Sequence, residues 1–247
     1  MQGTTRKARR AAHAWIAAMA LGAAGTASAT VVMNGTRYVY VADAKEITVK
    51  VSNVGKLPAL TQAWIDDGDE KSTPEHVDVP FNLTPPISRV EAGKSQTLRI
   101  SYTGGEVPSD RESQFWLNIL EVPPKPKAEE DVNKLQLAFR YRLKMFYRPK
   151  GLAGSADAAP EKLAWRRTAD GQISASNPTP FHVTLNDVRL NADGGEVAVE
   201  PFAIPPLETV TAKLERSLPS ADGIRVEYKS INDYGGFVPH SKAIEAP

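Results

Sequence analysis

The sequence predicts an all-β protein made of two β-sandwich domains, and three observations lead to this fold class. Short runs of alternating apolar and polar residues recur along the chain, a period of two that is typical of β-strands. Turn residues separate these runs at the spacing expected of antiparallel sandwiches. The 247 residues, 41% of them hydrophobic, are enough for one large or two ordinary domains.

Seven strands are predicted in the first half of the chain, over residues 37–41, 46–53, 60–66, 77–83, 96–102, 113–122 and 135–148. The last is much longer than the usual strand of about 5–6 residues. Its two faces differ, because Leu135, Leu137, Phe139 and Tyr141 alternate with residues that are mostly polar or basic. At the edge of a sheet, such a strand would offer unpaired backbone and apolar side chains to a second chain.

The long strand stops at Pro149, and a segment rich in Ala, Gly and Ser follows at 152–160. This change of composition predicts a domain boundary between residues 150 and 151, so the two domains would cover 30–150 and 151–247. Six further strands are predicted in the second domain, over 163–167, 172–175, 182–190, 196–199, 209–214 and 223–231.

The first 29 residues have the pattern of a secretory signal peptide. Basic residues such as Arg9 and Arg10 precede an apolar run at 14–24 that is too short to cross a bilayer. Ala27, Ser28 and Ala29 form a small-residue cleavage site. We therefore expect cleavage after Ala29 and secretion of a mature chain that starts at Thr30.

Composition argues against several classes of function. A net charge of +1 gives no general preference for nucleic acid, and the absence of cysteine excludes disulfides and thiolate metal sites. His76, His182 and His240 are far apart in the sequence, and no metalloprotease or nucleophile-elbow motif occurs. An enzyme would have to assemble its site from scattered residues, so neither an enzymatic activity nor a cofactor is predicted.

An acidic turn is the remaining candidate for a metal site. Asp66, Asp67, Asp69 and Glu70 place several carboxylates close together, which a hard cation could use. A solvated turn is the expectation here, and no metal site is predicted.

Six segments, taken in order along the chain, resemble the periplasmic chaperones that assemble pili by the chaperone–usher route. They are Gln-Ala-Trp-Ile at 62–65, Pro-Phe-Asn-Leu-Thr-Pro-Pro at 80–86, Arg-Glu-Ser-Gln-Phe-Trp-Leu-Asn-Ile-Leu-Glu-Val-Pro-Pro at 111–124, Leu-Lys-Met-Phe-Tyr-Arg-Pro at 143–149, Asn-Pro-Thr-Pro-Phe at 177–181 and Ile-Asn-Asp-Tyr-Gly-Gly at 231–236. The short segment before the long strand and the absence of cysteine resemble the short-loop branch of that family.

The resemblance implies two immunoglobulin-like domains in an L-shaped arrangement, with pilus subunits and an outer-membrane usher as partners. It also implies three sets of functional residues. They are a carboxylate anchor of Arg37 and Lys144, an edge strand that enters the subunit groove with Leu135, Leu137, Phe139 and Tyr141, and an interdomain ionic network of Glu112, Arg148 and Asp233. Neither nucleic acid, membrane insertion nor a cofactor is implied.

Two alternatives stay open at this point. A structural pilus subunit would carry a donor extension at its mature N-terminus, whereas only a few residues precede the first predicted strand and the longest amphipathic strand is internal. A generic β-sandwich binding protein would give Arg37 and Lys144 no special role. An exposed apolar edge at 135–139 would also make self-association of the free protein plausible.

Overall fold

The computed structural model describes residues 30–124, 136–168, 171–192, 195–214 and 223–245. Its first half contains β1 (Val31–Met33), β2 (Arg37–Val41), β3 (Ile47–Asn53), β4 (Ala59–Asp66), β5 (Phe81–Thr84), β6 (Ile87–Val90), β7 (Ser95–Tyr102), β8 (Ser113–Val122) and β9 (Phe139–Arg148). The second half contains β10 (Ala164–Arg167), β11 (Ile173–Ser176), β12 (Val183–Ala192), β13 (Gly195–Val199), β14 (Phe202–Ile204), β15 (Thr209–Ala212), β16 (Arg225–Ile231) and β17 (Phe237–Ala243).

The first half of the chain forms two facing sheets. One has the strand order β1-β3-β7-β5 and the other the order β2-β9-β8-β4-β6. Successive side chains of a strand point to opposite faces of its sheet, so the apolar residues on the inner faces of the two sheets meet in one core. This core includes Val49, Ile100, Leu117, Ile119 and Met145. Strand β2 is parallel to β9, whereas the other strand pairs in this half are antiparallel within the described residues.

The second half has its own two sheets and a separate core. Their strand orders are β10-β11-β15 and β13-β12-β16-β17, with β14 also paired to β12. The core contains Trp165, Leu190 and Ile204, each at most 1% exposed. The all-β prediction is confirmed, and the described helical structure is one 3-10 turn at Pro160–Lys162. No helix in the described ranges is long and apolar enough to cross a membrane.

Several predicted strand boundaries were wrong. The strand predicted over 135–148 begins at Phe139, so Gln136 to Ala138 precede it, and Leu135 falls outside the described residues. The strand predicted over 77–83 begins only at Phe81, directly after Pro80, which has no N–H to donate to a ladder.

Four strands were missed by the sequence analysis: β1, β6, β14 and β17. Strands β1, β6 and β14 have only three or four residues, too few to show a period. Strand β17 contains Pro239, which weakened its strand signal. The proline is tolerated because β17 lies at the end of its sheet and, within the described residues, pairs with β16 alone. The predicted leader at 1–29 lies outside the described residues.

Candidate functional site

The two neighbours of β9 cover different lengths of it. Strand β8 pairs with β9 from Phe139 to Tyr147, whereas β2 pairs only with Lys144 to Arg148. Within the described residues, the backbone from Phe139 to Leu143 therefore has a ladder partner on one side only. This five-residue segment, called here the open edge, is where a further strand can be added to the sheet.

The apolar residues predicted to enter a subunit groove differ in their surroundings. Leu137 is 42% exposed and Phe139 is half-buried. Tyr141 packs partly against the core of its own sandwich and donates a hydrogen bond to Glu121 Oε2 at 3.2 Å. Burial, reinforced by Glu121, raises the pKa of Tyr141 to about 12. Leu137 is therefore the most exposed of the three.

Arg37 and Lys144 are brought together by the short parallel ladder. They are direct partners in the register of β2 and β9. Both side chains reach the second half of the chain, because Arg37 Nη1 donates to the carbonyl of Ile231 at 2.8 Å and Lys144 Nζ donates to Thr184 Oγ1 at 3.2 Å. The Nε of Arg37 is buried and has no hydrogen-bond partner in the described part of the chain.

The electrostatics of this pair favour an anion. Burial, together with the charge of Arg37, lowers the pKa of Lys144 to about 8, and burial also lowers the pKa of Arg37, against an opposing effect of Asp233. Neither cation forms a salt bridge with any acidic group of the described residues. A cavity of about 210 Å³ is lined by Arg37 and also by the acidic Glu112 and Asp233, whereas Lys144 is not among its lining residues. A carboxylate between the two cations would accept charge-assisted hydrogen bonds.

The second predicted group, Glu112, Arg148 and Asp233, is also brought together. Arg148 Nε donates to Glu112 Oε1 at 2.6 Å, and its two terminal nitrogens donate to the two oxygens of Asp233 at 2.8 and 3.1 Å. Glu112, whose side chain is 2% exposed, also accepts from the backbone N–H of His182 at 2.8 Å. The network thus links the start of β8, the end of β9 and the turn after β16.

The turn that carries Asp233 is held by contacts that the sequence analysis did not identify. Asn232 Oδ1 accepts from the backbone N–H groups of Tyr234 and Gly236 at 3.1 and 2.8 Å. Gly235 has φ +83°, and a Cβ there would lie 2.5 Å from Thr36 Oγ1. The Asn-Asp-Tyr-Gly-Gly sequence is a turn signal that could have indicated this contact.

The expectation of a solvated acidic turn was wrong for Asp66. Asp67, Asp69 and Glu70 are exposed, but Asp66 is completely buried. It accepts hydrogen bonds from Arg142 at 2.7 Å and Asn118 at 2.6 Å. The two arginines on the polar face of the predicted long strand were a signal that an acid would be needed opposite them. The described residues contain no group of three potential ligands placed to hold a metal ion.

Comparison with known families places both halves of the chain. Residues 30–153 match the pili and flagellar-assembly chaperone, PapD N-terminal domain, and residues 158–242 match the pili assembly chaperone PapD, C-terminal domain. The chaperone protein FimB/FhaD of Bordetella pertussis is 45% identical over 232 residues, covering 92% of this chain and 93% of its own length.

Solved structures agree with these matches. The CupB2 chaperone of Pseudomonas aeruginosa is 39% identical, with a TM-score of 0.74 over 86% of this chain and 100% of its own. The SafB chaperone of Salmonella enterica, solved in complex with the SafA pilin, is 29% identical, with a TM-score of 0.73 over 89% and 98% of the two chains. The predicted fold class, two immunoglobulin-like β-sandwich domains, is confirmed. The chain belongs to the PapD family of periplasmic pilus-assembly chaperones, which are not enzymes.

Proposed function

We propose that this chaperone binds pilus subunits by adding its open edge to their unfinished fold and by anchoring their C-terminal carboxylate between Arg37 and Lys144. The observation that carries the proposal is a pair of half-buried cations that form no salt bridge within the described residues and lie directly beside the five residues of the open edge. The subunit would then be passed to an outer-membrane usher.

The anchor is suited to a terminal carboxylate. A carboxylate only accepts hydrogen bonds, and the buried Arg37 Nε and the Lys144 ammonium group are donors whose needs are incompletely met. Bonds of this charge-assisted kind are about twice as strong as neutral ones. The incoming negative charge would also relieve the repulsion between the two cations.

The open edge supplies the second contact. Backbone hydrogen bonds from Phe139 to Leu143 would extend the ladder into the subunit, and the exposed Leu137 and half-buried Phe139 would enter its groove. Complete burial of each such side chain contributes about 1.5–3 kcal/mol. We assign the same role to Leu135, whereas Tyr141 would have to leave its bond to Glu121 to join them.

The anchor and the open edge together would fix the register of the subunit strand against β9. Lys144 directly follows the last residue of the open edge, so a carboxylate fixed there determines which subunit residue faces each position of β9. A shift by one residue would turn every apolar side chain to the wrong face.

We assign Glu112, Arg148 and Asp233 to the relative position of the two domains, which we place at 30–150 and 151–247. The three residues come from both sides of the proposed boundary, and Glu112 is almost fully buried. Export by a leader cleaved after Ala29 would deliver the chain to the periplasm. The SafA–SafB complex supports a pilin as partner, and the free open edge would also allow self-association.

The test is a pull-down from periplasmic extract of cells that express pilus subunits, comparing the wild type with Lys144→Ala. Lys50→Ala is the matched control, because Lys50 is an exposed lysine on the opposite sheet of the same sandwich. We expect small pilin-like subunits to co-purify with the wild type and with Lys50→Ala, and to be lost with Lys144→Ala. Equal recovery of subunits with all three proteins would contradict the assignment of Lys144 to the carboxylate anchor. If no subunit co-purifies with the wild type, a generic β-sandwich binding protein becomes the better account.

A further inference from the structure

A polar cluster covers the outer face of the sheet that contains the open edge. Asp66 ends β4, Asn118 lies in the middle of β8, and Arg140 and Arg142 lie on β9. These three strands are consecutive in the sheet, and Arg142 is the direct cross-strand partner of Asn118. The cluster therefore connects the open edge to the strand two places away.

The carboxylate of Asp66 is the centre of the cluster. It is fully buried and accepts from Arg142 Nη2 at 2.7 Å, from Asn118 Nδ2 at 2.6 Å and from the backbone N–H of Gly68 at 2.8 Å. Burial favours the neutral acid, but hydrogen bonds led by Arg142 and Asn118 outweigh it and lower the pKa of Asp66. The carboxylate is thus ionised and fully engaged at neutral pH.

The two arginines are fixed by further contacts. Arg140 Nε donates to Asn118 Oδ1 at 3.0 Å, and its Nη1 donates to the carbonyl of Glu70 at 2.8 Å. The Arg142 guanidinium lies 4.3 Å from the ring centre of Trp116, and that of Arg140 lies 4.8 Å from the ring centre of Trp64. Stacking of this kind adds to the attraction when water is excluded.

We propose that Asp66 is a positioning residue for subunit capture, holding the open edge of β9 in a fixed extended conformation through Arg140 and Arg142. The inference rests on the proposed function of β9. Among the residues that the structure describes, 139–143 have no counterpart of the ladder that β2 gives to 144–148, so their backbone support there comes from β8 alone. The cluster supplies side-chain support at two of these five residues.

A fixed edge matters because a strand that is already ordered loses less conformational entropy when it pairs with a partner. Without the carboxylate, Arg140 and Arg142 would keep their stacking but lose the charged acceptor that joins β9 to β4. The open edge would then detach from β8 more often, and subunits would find it ordered for a smaller fraction of the time.

Hydrogen exchange on the complete exported protein tests the positioning role without any subunit. We expect Asp66→Asn to accelerate exchange at the β8-bonded amides of residues 139–143 by about tenfold or more, while amides of the second sandwich are unchanged. Arg142→Met, which keeps the contact with Trp116 but cannot bond Asp66, should do the same if Asp66→Asn folds poorly. Unchanged exchange at 139–143 in both variants would overturn the proposal.

Subunit affinity gives the second measurement, with Asn53→Ala as the matched control. Asn53 is 1% exposed in the same sandwich and donates to the carbonyls of Leu57 and Val90, away from β9. Using a subunit that co-purifies with the wild type, we expect Asp66→Asn to weaken binding about tenfold and Asn53→Ala to leave it near the wild-type value. Equal weakening by both would show a general loss of stability and overturn the proposal. If the wild type binds no subunit, the proposed function fails while the exchange experiment still decides the role of Asp66.

Discussion

Two groups of cationic side chains lie on the same β2–β9 ladder and have opposite electrostatic surroundings. Arg148, at the end of the ladder, is bonded to Glu112 and Asp233. Arg37 and Lys144, at its start, face each other and form no salt bridge within the described residues. The first group is neutralised by acids of the chain itself, whereas we propose that the second is completed by an anion from a partner.

The difference shows how the surroundings of a half-buried charge can indicate its role. Removing charge from water costs free energy, and an acidic partner compensates for that cost. Around Arg148 two acids provide the compensation and raise its pKa in spite of burial. Around Lys144 burial and Arg37 lower the pKa to about 8, so the free protein carries an uncompensated cost at this position. We expect the first group to stabilise the fold and the second to bind.

The largest expected effect is on stability and belongs to Arg148. Arg148→Ala would leave Glu112, 2% exposed, without its cation. Breaking a buried pair costs about 3–5 kcal/mol, and we expect the lower end because Asp233 is 28% exposed. The free energy of unfolding from urea titration measures the loss.

Arg89→Ala is the control variant, because it removes an ion pair of the same length that is exposed to solvent. Arg89 and Glu91 form an ion pair of the same 2.6 Å length, but their side chains are 67% and 57% exposed. Its loss should cost less than about 1 kcal/mol. Equal losses in the two variants would mean that burial does not distinguish the Arg148 network from a surface pair.

The next effect concerns pH and subunit binding. Because the pKa of Lys144 is about 8, its positive charge is lost as the pH rises through that value. We expect subunit affinity to fall between pH 7 and pH 9, where about a tenth of the lysine stays protonated. The free energy of unfolding of the free protein should rise over the same change of pH. Between about pH 8 and pH 10.5 the unfolded chain binds more protons at Lys144 than the folded chain does, so raising the pH favours the folded state.

Lys144→Arg separates this titration from other effects of pH. A guanidinium stays charged throughout the range, so the variant should lose the pH dependence even if its affinity at pH 7 is lower. Binding titrations of wild type and variant at pH 7, 8 and 9 make the comparison. An identical pH dependence in both proteins would assign the effect to another group.

The smallest effect is expected at Thr184, which gives Lys144 its hydrogen-bond acceptor in the free protein. Thr184→Val keeps the shape of the side chain and removes that oxygen. We expect a loss of about 1 kcal/mol in the free energy of unfolding. We expect this loss to shrink in the subunit complex, where the proposed carboxylate would replace the missing acceptor, and thermal unfolding with and without subunit measures the change. A loss larger than that of Arg148→Ala would contradict the ranking of the two groups.

Much of this molecule was predictable from local sequence. The period of two in β3, β7 and β8 and the turns between strands gave the all-β class, because strand faces are determined by alternation over a few residues. The motifs around Arg37, Lys144, Glu112, Arg148 and Asp233 identified side chains that the structure does bring together. Their proposed roles remain predictions for the experiments above.

Tertiary structure decided what depends on neighbours distant in sequence. The sequence pattern predicted that the long strand begins at Leu135. In the structure the strand begins at Phe139, where pairing with Glu121 of β8 begins. The pattern also placed Asp66 in a solvated turn, whereas Arg140, Arg142 and Asn118 enclose it from two other strands. Local sequence determines which face a residue occupies, but burial, pKa and an unpaired edge arise only from the strands that lie against it.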